Sequence, residues 1–160
     1  MNPAPTEPTA LVTLRELTPE DVVTICRLSD TLSPAHRRMV ADNAISIAQG
    51  HCARADAWMR AIYADERPVG FVMLDLEDAW AGDDPGPFLW RFMIAGPEQG
   101  NGYARAALLQ VFAWAKARGA RHLATSCGQG EGSPEGFYRR LGFEPTGDWI
   151  DDEKVLRLAL

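Results

Sequence analysis

Gln99-Gly100-Asn101-Gly102-Tyr103-Ala104-Arg105 is the stretch on which the reading of this chain turns. Before it lies an apolar, aromatic run over 88–94, Phe-Leu-Trp-Arg-Phe-Met-Ile, broken by one charge at Arg91. After it, over 102–118, Leu108, Val111, Phe112 and Ala115 recur at helical spacing, and Gly119 stands where a left-handed cap belongs. The spacing predicts strand, glycine turn, helix. Two glycines and an alanine let backbone pass close to a ligand, and the first N–H groups of the helix then point outward at its positive end. Such a turn suits a pyrophosphate. It is not a P-loop, because the G-K-[ST] ending is missing, and the dinucleotide pattern G-x-G-x-x-G is incomplete.

Upstream, residues 11–17 read as a short strand, and Thr18-Pro19-Glu20-Asp21 as the capped start of a helix carrying Val22, Ile25, Cys26 and Leu28. A second helix starts after Ser33 with Pro34 first, runs in two pieces and ends at Gly50. Residues 58–63 and 69–76 read as paired strands around the turn 65–68, followed by a Gly-, Pro- and Asp-rich loop over 77–87. Beyond the long helix come a strand over 122–126, a short helix opened by Ser133-Pro134-Glu135 and closed by Gly142, and a hairpin of 143–150 with 155–160 over Asp151-Asp152. Three hairpin-linked strands followed by β-α-β make a mixed sheet with helices on both faces, an α/β (α+β) class without the strict alternation of a doubly wound fold.

The chain has 160 residues, 46% of them hydrophobic and 24% charged, with a net charge of −6. That describes a folded chain of single-domain size, with a lead-in over 1–9 expected to be disordered and a domain over 10–160. The acidic balance argues against a nucleic-acid partner, which needs a basic face. No apolar run reaches the 18 or so residues of a membrane span, and the N-terminal stretch lacks signal-peptide features. Cys26, Cys52 and Cys127 are odd in number and widely spaced, which fits free thiols in a cytoplasmic protein. His36, His51 and His122 show no ligand spacing, so no metal is assigned.

Gln99, Gly102 and Ala104 occupy the places of a strand-[RQ]-x-x-G-x-[GA]-helix pattern, and Gly136-Phe137-Tyr138-Arg139-Arg140-Leu141-Gly142-Phe143 that of a closing x-x-Y-x-x-L-G-F segment. In that order, with one strand between them, they resemble the acetyl-CoA-binding motifs of the GNAT superfamily of N-acetyltransferases, and the likeness covers the chain from Leu11 onward. Met39 to Ala48, Arg60 to Tyr63, Val69 to Leu74 and Trp90 to Ile94 further resemble its bacterial spermine/spermidine (diamine) branch. The resemblance implies a seven-stranded, mostly antiparallel sheet with about four helices, splayed in the middle, with acetyl-CoA as cosubstrate and a small amine as acceptor. Phe92, Met93 and Ile94 would line the pantetheine arm, and Gly100, Asn101, Gly102, Tyr103, Ala104 and Arg105 would hold the pyrophosphate. Glu131 stands where the superfamily usually has an Asn that contacts the cofactor, and backbone or Ser133 would take its place.

Tyr138 is the candidate general acid, because a phenol near pKa 10 is protonated at neutral pH and can protonate a departing thiolate. Phe137 and Leu141 form a core pair one helical turn apart, which turns Tyr138 toward the cleft; the alternative is a packed tyrosine bonded to a carbonyl. The base is less defined. Asp75, which interrupts an apolar run, is preferred over Glu77 and Asp78, while Asp83 and Asp84 read as solvated loop. Five carboxylates between Asp75 and Asp84, with Trp80 and Trp90 nearby, suit a cationic acceptor such as a polyamine. Asn43 and Ser46, with Glu77, are expected at the acceptor mouth. Other acceptors (an antibiotic amine, an amino acid or a protein N-terminus) and a non-catalytic acyl-CoA-binding domain remain alternatives, and the apolar terminal strand over 155–160 could pair two copies as a homodimer.

Overall fold

The computed structural model describes residues 7–77 and 86–160. Trp80, Asp78, Asp83 and Asp84 lie outside them, as does most of the expected lead-in. The elements run β1 (Val12–Arg15), α1 (Val22–Arg27), α2 (Pro34–Arg37), α3 (Asn43–Ala53), β2 (Ala57–Ala64), β3 (Arg67–Asp75), β4 (Phe88–Ile94), α4 (Tyr103–Ala117), β5 (His122–Cys127), α5 (Glu135–Arg140), β6 (Glu144–Ile150) and β7 (Glu153–Ala159). The seven strands form one sheet in the order β1-β2-β3-β4-β5-β7-β6. All neighbours are antiparallel except β4 and β5, which run parallel because α4 crosses over between them.

Strand alternation divides the core between the two faces. Ile62, Val72, Leu74 and Leu89 meet Ala107, Leu108 and Val111 of α4 on one face. Ala61, Tyr63, Phe71 and Met73 meet Ile25 of α1 and the partly buried Ile47 of α3 on the other. Buried positions of α4 at Tyr103, Ala107, Leu108, Val111 and Ala115 form one stripe.

Local starts and stops depart from expectation at several points. α1 begins after Asp21, whose carboxylate accepts a hydrogen bond from the Thr18 amide at 2.8 Å, so Thr18 to Glu20 form a turn ahead of the helix. α3 continues past Gly50 to Ala53. Gly50 is there for space: an added Cβ would meet Met59 Sδ at 2.5 Å. The β2–β3 turn is only Asp65 and Glu66, with Asp65 at φ 53°, while Arg67 and Pro68 belong to β3. The terminal strand β7 is inserted between β5 and β6, so it is no free edge; the exposed β6 is the edge instead.

Two irregularities position the centre of the molecule. β4 pairs with β5 only at Phe88↔Ala124 and Leu89↔Thr125 and then diverges. Against β3, Met73 faces Arg91 and Leu74 faces Leu89, so Trp90 is an extra residue, a β-bulge on β4.

Candidate active site

The divergence of β4 from β5 opens a cavity of about 590 Å³. Trp90 to Ile94 line it from β4, Thr125 and Ser126 from β5, Ser133, Phe137 and Tyr138 from α5 and its approach, Glu153 from β7, and His36 to Ala41 from α2 and the loop after it. The bulge decides which backbone groups it receives. Before it, Pro87 accepts a hydrogen bond from the Ala124 amide, so odd-numbered residues face β5. After it, the Ala95 amide donates to Val69 O on β3, so Phe92 and Ile94 turn their N–H and C=O toward the cleft, where β5 is no longer present to pair them.

Beyond Ile94 the chain enters the glycine turn. Gly100 and Gly102 hold φ of 82° and 79°, a region that favours glycine. The first intrahelical bond of α4 runs from the Ala106 amide to Gly102 O, which leaves the N–H groups of Tyr103, Ala104 and Arg105 pointing out of the helix start. The Tyr103 side chain itself is buried in the core, so only its amide is presented. Gln99 does not reach outward: its side-chain amide donates to Ile94 O at 3.0 Å and ties the turn to the end of β4. A strand edge that β5 leaves unpaired up to the Ile94 N–H, running into a helix start, fits a donor made of an amide-bearing arm and a pyrophosphate.

Tyr138 is 5% exposed and packs against Phe137 and Phe143, with ring centroids 5.6 Å and 5.3 Å away. Burial pushes its phenol well above the ordinary tyrosine range; a hydrogen bond with the Thr125 side chain opposes this, and Cys127 and Glu153 add to it. The group is a protonated hydroxyl at any physiological pH. Thr125 is itself held by donating to Leu89 O at 3.0 Å, the last residue of the β4–β5 pairing.

The profile of the acetyltransferase (GNAT) family matches residues 24–143, well over half of the chain and all of the elements just described except β1 and the final hairpin. This chain is a GNAT-family acetyltransferase. No match is found among curated protein sequences. Among solved structures it is similar to an acetyltransferase from Thermus thermophilus, 20% identical over 93% of this chain and 97% of that one, with a TM-score of 0.76. It is also similar to the PaiA N-acetyltransferase of Thermoplasma acidophilum in complex with coenzyme A, 15% identical over 94% and 99%, at 0.69. A Salmonella typhimurium acetyltransferase that modifies the N-terminal serine of the ribosomal protein L7/L12 is 15% identical over 95% and 96%, at 0.74. At these identities the likeness speaks for the fold, with acetyl-CoA as the cosubstrate of the family.

Several residues singled out in the sequence of this acetyltransferase sit elsewhere than expected. Asp75 ends β3 opposite Phe88 and does not line the cavity; its Oδ1 accepts from the Glu77 amide at 3.0 Å. Because β3 is antiparallel to β4, its last residue lies at the closed end of the cleft, where β4 and β5 still pair. Glu77 is exposed beside it. Asn43 and Ser46 are buried between helices: the Asn43 side chain donates to Ile25 O at 2.8 Å, and Ser46 Oγ donates to Asp42 O at 3.1 Å. Asn43 thus ties α3 to α1, and Ser46 bonds back to the start of its own helix. Glu131 is exposed outside the cavity wall, whereas Ser133 lines it, donating to Gly128 O at 2.7 Å and accepting from the Glu135 amide at 3.3 Å. Trp90, the bulge residue, does line the cavity.

The carboxylate that reaches the cavity among the described residues is Glu153, which sequence reasoning missed. It follows Asp151-Asp152 and reads as one more turn acid; only the β5–β7 register brings it to Ser126, whose Oγ donates to Glu153 Oε2. Cationic groups line the same space. Arg91 is half buried, with Nε lacking a hydrogen-bond partner; desolvation holds its pKa below the ordinary guanidinium range and Glu153 counters this. His36, Arg37 and Arg38 stand on the wall facing it, Arg37 being paired with Asp30 and Asp42.

Proposed function

We propose that this protein is an acetyl-CoA-dependent N-acetyltransferase that acts on a primary amine of a small acceptor by direct attack, with Tyr138 as the general acid. The observation that carries the reading is the buried Tyr138 on the wall of a cleft where β4 has parted from β5. Bound acetyl-CoA supplies a thioester whose carbonyl carbon takes the new bond to nitrogen. The outward amides of residues 100–105 would hold the pyrophosphate. The cleft-facing groups of Phe92 and Ile94, with Met93 behind them, would pair the pantetheine arm as an added strand, and the Ile94 N–H would steady the charge that builds on the carbonyl oxygen.

Cys127 is a poor candidate for an acyl-enzyme nucleophile. Burial pushes its thiol up to about 11, with Glu135 next in the same direction, so the nucleophilic thiolate is scarce at neutral pH. The reaction then needs both substrates bound together. Three unpaired thiols also agree with a reducing, cytoplasmic setting.

A polyamine is the first acceptor to try, on the strength of the acidic stretch between Asp75 and Asp84. The cationic wall of Arg37, Arg38 and Arg91 favours a second class, an amine that also bears a carboxylate, such as an amino acid or a peptide. Free-thiol release from acetyl-CoA is the test, run with spermidine, spermine, putrescine, an aminoglycoside, lysine and a short peptide. Saturable release with any amine supports the reaction, and the pattern across the panel selects the acceptor. Firm acetyl-CoA binding without release in any case would move the reading to a non-catalytic acyl-CoA-binding domain.

A further inference from the structure

We infer that Glu153 takes the proton from the acceptor amine, held in place by Ser126 on the face of the sheet opposite Tyr138; the inference rests on the N-acetyltransferase reading above. It follows from strand parity. On β5, Leu123 and Cys127 belong with Tyr138 to the core on the α4 side, and Thr125 has the same parity. Ser126 therefore points to the other face. Across the β5–β7 ladder Thr125 opposes Leu156, which is in that same α4-side core, and Ser126 opposes Val155. Glu153 is two residues from Val155 on the same face, diagonal to Ser126, and the two side chains are hydrogen-bonded. On that face lie Leu32 and Val40, which bracket His36 to Met39 on the cavity wall. One cleft thus passes through the sheet with a hydroxyl acid on one side and a carboxylate on the other.

That arrangement matches what the chemistry needs. An alkyl amine with pKa near 10.4 is protonated at neutral pH and has no lone pair to attack with. Attack and departure take place on different sides of the carbonyl carbon, so base and acid should flank it. Glu153 accepts one proton from the ammonium and becomes a carboxylic acid. The freed nitrogen forms the C–N bond, the C–S bond breaks, and Tyr138 gives its proton to the thiolate. The nitrogen's second proton restores the Tyr138 hydroxyl, and Glu153 returns its own to water, so each turnover releases one amide, one thiol and one proton. On its own face Glu153 meets Ser126 from β5 and Arg91 from β4, with His36, Arg37 and Arg38 across the cavity, while Cys127 and Tyr138 feel its charge from the other face of the sheet.

The experiment is the pH profile of kcat/KM for the best amine of the panel, in wild type and Glu153→Gln, with acetyl-CoA affinity measured on both. A general base is worth about 10²- to 10⁴-fold. At pH 7 the variant should lose that much, the deficit should shrink toward pH 10 as the amine deprotonates unaided, and acetyl-CoA affinity should stay within about twofold. A loss that is the same at every pH, or no loss, overturns the inference while leaving the N-acetyltransferase reading intact. A wild type that binds acetyl-CoA but acetylates no amine overturns both. If Glu153→Gln does not fold, Ser126→Ala serves: it should give a smaller deficit with the same pH trend, and a flat profile would count against the inference.

Discussion

Tyr138 and Glu153 look into one cavity from opposite faces of the same sheet, and their surroundings differ in kind. Tyr138 is nine-tenths and more buried among Phe137 and Phe143, with Thr125 as its polar neighbour. Glu153 is only partly buried and sits among Ser126, Arg91 and the cations of α2. Desolvation penalises the charged form of an acid, so the dry wall keeps a proton on its hydroxyl. On the wet wall the carboxylate meets a hydroxyl donor, with guanidinium groups lining the same cavity. The contrast assigns donor chemistry to one wall and acceptor chemistry to the other.

Breaking the dry wall should have the largest effect. Tyr138→Phe keeps the ring packing and removes the proton, so kcat should fall about 10²- to 10⁴-fold while acetyl-CoA affinity, measured by titration calorimetry, is unchanged. An unchanged kcat would leave the wall with packing alone. Next, Gly102→Val forces a branched side chain into φ 79°, at a cost of about 1–2 kcal/mol in left-handed backbone. The KM for acetyl-CoA should rise about tenfold and the KM for the amine should not, which separates donor from acceptor binding. On the wet wall, Arg38→Ala should change amine KM by a few-fold. The KM should rise for a carboxylate-bearing amine and fall for a polyamine, read from the same thiol-release assay.

The smallest effect is expected at Cys127. Cys127→Ala should leave kcat within about twofold, and a collapse would revive an acyl-enzyme route. The thiol still leaves a mark on stability. Its native pKa of about 11 lies above the ordinary value of 9.0, so between those values the unfolded chain gives up a proton that the native chain keeps. Stability should therefore fall as pH rises from about 9 toward 11, and melting curves of Cys127→Ala should show a flatter decline.

The long helix, the glycine turn before it and the Tyr138 segment were legible in the sequence because each is local. A stripe at Leu108, Val111 and Ala115 needs only its own helix, and Gly102 needs positive φ for reasons within three residues. Asn43 and Ser46 were misjudged because a polar pair one turn apart looks the same on a wet surface as between packed helices; the difference is Ile25 O and Asp42 O, which accept their hydrogen bonds. Asp75 stood out because it interrupts an apolar run, yet that run ends at the closed end of the cleft.

What the sequence determined by itself was the order of elements, the glycine turn ahead of α4 and the place of Tyr138 on α5, since periodicity, backbone sterics and a short motif are properties of neighbouring residues. Only the tertiary structure decided which carboxylate shares the cavity with Tyr138. Glu153 and Ser126 are 27 residues apart and come together through the register of β5 on β7. A shift of one residue there would send Glu153 to the opposite face. The bulge at Trp90 works in the same way, turning Phe92 and Ile94 toward the cleft by displacing β4 against β3. Registers and bulges are settled by packing across strands, which no local stretch of sequence contains.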